Sequence, residues 1–83
     1  MEDKKVDINK LHALIREVQN QNWKAYVKFV ESGDMLQLNK DLDEVVRKIC
    51  DFQDKEIAKR VKAANDYWLT GWALLCNKIK EDM

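Results

Sequence analysis

Ser32 and Thr70 are the only hydroxyl-bearing side chains apart from the two tyrosines. Ser32 stands beside Gly33 with no histidine near it in sequence, and neither a glycine-rich phosphate loop nor a GxSxG elbow occurs. Carboxylates are plentiful, but they stand at helical spacing from lysines and arginines, as solubilising charges do. His12, Cys50 and Cys76 are the only soft metal ligands, and they fall on three separate predicted elements without CxxC or HxxxH spacing. The expectation is a protein that is not an enzyme, with no cofactor, no metal site and no catalytic residue.

The side chains suited to recognition are richer. In the segment from Tyr67 to Cys76 the large apolar residues cover about 220° of a helix, twice the stripe of a little over about 100° that a surface helix needs. Trp68 and Trp72 are one turn apart, and tryptophan is enriched among residues that dominate binding energy. Gly71 between them costs about 1 kcal/mol of helix propensity against alanine and lets another backbone come close. Trp23, Val27 and Val30 form a second surplus apolar face earlier in the chain. The candidate partner-binding face is therefore Trp23, Val27, Val30, Trp68, Trp72, Leu75 and Ile79, offered to a protein partner or to a second copy.

Asn22 lies near the centre of an apolar stripe made by Ile15, Val18, Tyr26 and Phe29. A buried asparagine at such a seam costs stability and fixes register, so Asn22 is a candidate specificity residue. The alternative reading is nucleic-acid binding through the basic cluster Lys55, Lys59, Arg60 and Lys62. A recognition helix needs a short turn before it, often with glycine, and here acidic Asp51-Phe52-Gln53-Asp54 precedes the cluster, which disfavours that partner.

These residues are positioned by helices. A first helix is expected over about 7–31, with Asp7 as N-cap and Gly33 in the left-handed position beyond its end. A second is expected over about 41–64, because Asp41-Leu42-Asp43-Glu44 resembles a capping box. Acid-first pairs at i,i+4 (Asp43/Arg47, Glu44/Lys48, Asp51/Lys55, Glu56/Arg60) then run without interruption across residues 50–56. The apolar stripe does shift by about 80° between Ile49 and Ile57, and a break there competes with one at Ala64-Asn65-Asp66. The charge ladder favours the latter, with Asp66 capping a third helix to about residue 80. The fold expected is all-α, a small three-helix bundle in a single domain; the alternative is a long helical hairpin that dimerises into a four-helix bundle.

Composition agrees. With 46% hydrophobic and 36% charged residues, no proline and two glycines in 83 residues, the chain is too apolar for disorder and too poor in turn formers for a β-sandwich. No run of about 20 apolar residues and no signal peptide is visible, so a cytoplasmic protein with no membrane span is expected, its two cysteines reduced and buried. Such proline-free helical chains are common among small phage and bacterial regulators, which is an association of style. The net charge is zero, but residues 34–54 carry six acids against three bases, and residues 55–80 six bases against two acids. A chain so polarised could pair with a copy of itself.

Overall fold

The computed structural model describes residues 6–83. Three helices, α1 (Ile8–Ser32), α2 (Met35–Cys50) and α3 (Lys55–Asp82), pack each against the other two. Each begins at an aspartate in extended conformation whose carboxylate takes the free N–H groups of the first turn. Asp7 accepts from Asn9 and Lys10, Asp34 from Gln37, and Asp54 from Glu56 and Ile57. A cap of this kind stabilises a helix by about 1 kcal/mol. Gly33, at φ 71°, ends α1 and donates its N–H to the Phe29 carbonyl, so only Gly33 and Asp34 separate α1 from α2.

Two expected boundaries move. The second helix starts at Met35 rather than 41, because Asp34 is as good a cap two turns earlier and Leu38 extends the stripe of Leu42, Val45 and Ile49 backward. Asp41 sits inside the helix and accepts from the Gln37 side chain at 2.9 Å. The chain breaks at residues 51–54, not at 64–66. The shifted stripe was the correct signal, and the charge ladder was misleading. Asp51 and Lys55 lie on opposite sides of the break, and Lys55 Nζ instead donates to the Cys50 carbonyl at 2.9 Å, closing the end of α2. Lys48 pairs with Glu17 of α1 at 3.7 Å. Helix α3 runs unbroken through Asn65, and Asp66 faces Lys62 within it at 3.9 Å.

The topology is up-down-up. Lys48–Glu17 and Lys28–Asp41 tie α2 antiparallel to α1. Lys80 Nζ reaches the Gly33 carbonyl at 2.8 Å, which places the C-terminal ends of α1 and α3 together. All three axes follow the long dimension of a 54 × 18 × 17 Å body.

The core has two apolar clusters. Leu14, Val18, Val45, Ile49, Ile57, Ala58 and Val61 fill one, and Ala25, Phe29, Leu38 and Cys76 the other. Between them along α1 and α3 stand Asn22 and Asn65, both fully buried and joined by Asn22 Nδ2 donating to Asn65 Oδ1 at 3.1 Å. Asn22 Oδ1 and Asn65 Nδ2 have no protein partner. The two asparagines meet only when α1 and α3 stand in this one parallel register. Cys76 is buried as expected, and burial pushes its thiol pKa up. Cys50 is exposed, contrary to expectation, because it lies in the last turn of α2 on the side away from Ile49.

Candidate interaction face

Helix α3 carries more apolar surface than α1 and α2 cover. Its inward side carries Val61, Asn65, Trp68, Trp72, Cys76 and Ile79. A second side of the helix is turned away from this stripe, by about 60° at Leu75, about 100° at Gly71 and about 140–160° at Tyr67 and Leu74. Tyr67 is 83% exposed and Leu74 67%, and a Cβ built on Gly71 would meet nothing within 4 Å. A leucine left in water forgoes the roughly 1.5–3 kcal/mol that burial of its side chain provides.

Across the α1–α3 seam three aromatic rings lie together. Tyr26 and Trp72 have centroids 5.0 Å apart, Trp23 and Tyr26 5.5 Å, and Trp23 and Trp72 6.4 Å with a near edge-on angle of 60°. These spacings are those of favourable tilted and T-shaped pairs. Tyr26 and Trp72 are half-buried by the arrangement, while Trp23 lies on top and stays 54% exposed. Leu75 continues the patch one turn beyond Trp72 on α3, and Val27 and Val30 continue it on α1.

The seven residues expected to form a binding face therefore divide. Trp23, Val30 and Leu75 are exposed, and Val27 and Trp72 are half-buried at the seam. Trp68 and Ile79 pack instead against the two core clusters, because the stripe they share with Val61 and Cys76 is the one α3 turns inward. Tyr67 and Leu74 are the most exposed apolar residues of α3 and were not singled out from sequence. The signal was the excess width of the Tyr67–Cys76 segment. What was missing was which edge of it faced the neighbours.

Asn22, expected at a register-fixing position, pairs within the chain. The basic cluster is exposed, but three of its four members have a partner in the chain. Lys55 is on the Cys50 carbonyl, Arg60 lies 3.9 Å from Glu56 and Lys62 3.9 Å from Asp66. With all axes aligned along the body, α3 is not set across α2 as a recognition helix would be.

Other concave surface is open and mixed in charge. A groove of about 510 Å³ between α1 and α2 sets Lys24, Lys28, Arg47 and Lys48 among Asp41, Glu44 and Asp51, so its charges are mixed rather than of one sign. Ser32 Oγ accepts from the Asp34 N–H at 3.1 Å in the α1–α2 turn. Among the described residues no three histidine, cysteine or carboxylate groups converge on a metal position, and no helix is long and apolar enough to cross a membrane. Compared with protein-family models, with curated proteins and with solved structures, the chain matches none.

Proposed function

We propose that this protein is a non-enzymatic protein–protein interaction module, a small cytoplasmic regulator, adaptor or inhibitor, acting through the apolar face of α3 and the adjoining seam with α1. The observation that carries the reading is the exposure of Tyr67, Leu74 and Leu75 on α3 and of Trp23 at the α1–α3 seam, on a chain with charged residues enough to cover those sides had they met only water. Contiguous exposed apolar surface of this kind marks interaction sites in soluble proteins. Aromatic side chains such as Trp23, Tyr26 and Trp72 are of the kind enriched at binding hot spots. Two free thiols, one of them exposed, suit a reducing compartment.

The test compares the immobilised native chain with Trp72→Ala and Leu74→Lys in extracts of the source cell, with helicity followed by circular dichroism. A protein (a copy of this chain included) retained in stoichiometric amount by the native form and lost with both variants, while both stay helical, supports the reading. Retention that does not distinguish native from Leu74→Lys refutes it. Leu74 is exposed, so its replacement leaves the fold intact even if Trp72→Ala unfolds.

A further inference from the structure

The exposed stripe of α3 is self-complementary about Gly71, and we infer that its occupant is a second copy of the chain, with the two α3 helices packed antiparallel and crossing at Gly71. The inference rests on the interaction-module reading and specifies its partner and register.

At about 100° per residue, Arg60, Ala64, Tyr67, Gly71, Leu74, Leu75, Lys78 and Asp82 fall within about 60° of one line along the helix. All but Ala64, which is half-buried, are exposed. An antiparallel pair related by a two-fold axis at Gly71 sets each residue opposite the one equally far on the other side of the glycine. Arg60 and Asp82 are each eleven positions from Gly71, so arginine of one copy meets aspartate of the other at both ends. Tyr67 meets Leu75 directly and Leu74 diagonally, and these six apolar side chains enclose the crossing. Lys78 falls opposite Ala64, where its long stem can lie over the small residue. No like charges oppose one another along the line. The same side chains in parallel would set Arg60 against Arg60 and Asp82 against Asp82.

Gly71 has a distinct part in this. It is an internal helical glycine with φ in the ordinary helical range and no neighbour within 4 Å of its Cβ position. Neither backbone conformation nor packing inside the chain calls for glycine there. A second helix does, since the missing side chain lets two backbones approach at the crossing. The ends at Arg60 and Asp82 lie about 16 Å from Gly71, so a shallow crossing near about 20° keeps them within reach of each other. A contact about 33 Å long and one helix wide is at the low end of stable interfaces, so the dimer is expected to depend on concentration. The zero net charge of the chain leaves no long-range repulsion between copies.

Sedimentation velocity of the full chain from submicromolar to several hundred micromolar tests this, with melting temperature recorded for every variant. The native chain is expected to pass from monomer to dimer. Gly71→Leu should raise the dissociation constant at least about tenfold while melting no lower than native, since its side chain enters open space in the monomer. Arg60→Glu and Asp82→Arg should each weaken the dimer about fivefold, and the double reversal should restore it at low salt. A native chain that stays monomeric throughout overturns the inference and leaves the interaction-module reading to the capture comparison with Leu74→Lys. A dimer indifferent to Gly71→Leu, or one that the double charge reversal fails to restore, overturns the register.

Discussion

The Asn22–Asn65 pair makes a sharp quantitative prediction. In the native chain one hydrogen bond of 3.1 Å joins two side chains that are both 0% exposed, and two polar atoms, Asn22 Oδ1 and Asn65 Nδ2, go without a protein partner. Replacing Asn22 with leucine, close to it in shape, removes the bond and leaves the whole Asn65 amide buried without a partner. The desolvation of a buried polar group left unmade costs about 1–3 kcal/mol, so the single variant should lose about 2 kcal/mol. Asn65→Leu should lose as much by the same argument. The double variant removes every polar atom from the layer. It gives up one net hydrogen bond, about 1 kcal/mol, and relieves two atoms that were already unpaired, so it should be as stable as the native chain or more so. The coupling between the sites is therefore favourable and about 4 kcal/mol or more, above the usual range for contacting pairs. In urea, with a slope near about 1 kcal/mol/M for so small a domain, each single variant should lower the midpoint by about 2 M and the double variant should return it. Circular dichroism in a urea titration reads this directly. Losses that simply add in the double variant would refute the account, because they would mean that the two amides are stabilised separately. The double variant should also lose uniqueness, since an all-apolar layer no longer penalises a slipped α1–α3 register, and broadened amide resonances would show it.

Three further predictions concern the rest of the fold. Asp34→Ala should cost about 1 kcal/mol, while Asp41→Ala should cost under about 0.5 kcal/mol; thermal melts of the two decide which aspartate starts α2. Phe29→Ala should cost about 3–5 kcal/mol, much of what a domain of this size possesses, whereas Leu74→Ala should stay within about 0.5 kcal/mol in dilute solution. Cys50 should react at once with a thiol reagent and Cys76 only on unfolding. The folded pKa of Cys76 is raised, so its contribution to stability is full below the ordinary thiol pKa of about 8.5 and is lost as pH rises beyond it. Urea midpoints should fall over that alkaline window, and Cys76→Ala should remove the part of the slope that the thiol contributes.

Much of the architecture was legible in the residues alone. Spacing of apolar side chains at three and four, Asp7 before one stripe and Gly33 after it, and the want of turn formers set an all-α chain with a first helix within a residue of its observed limits. These are local effects: a cap or a left-handed glycine acts on the turn beside it and needs no distant partner. The stripe shift between Ile49 and Ile57 was local information too, and it marked the true break. The charge ladder points the other way, but i,i+4 ion pairs contribute only a few tenths of a kcal/mol, too little to carry a helix across a point where the buried face must change. The pattern at Asp41 is the fuller capping signal, but burial of Leu38, about one turn before Asp41, carries the helix back to Asp34.

What the tertiary structure decided is which side of each stripe is inside. A helix with 220° of apolar surface has no local means of choosing the 100° it buries. That choice belongs to the positions of α1 and α2, which turn Trp68 and Ile79 inward and leave Tyr67 and Leu74 in water. The same holds for Asn22. Its place at the centre of a stripe was plain from spacing, but its partner is 43 residues away on α3, and only the folded register brings the two amides together. Burial and long-range pairing depend on the sum of all the packed faces at once, so they are properties of the assembled bundle rather than of any segment within it.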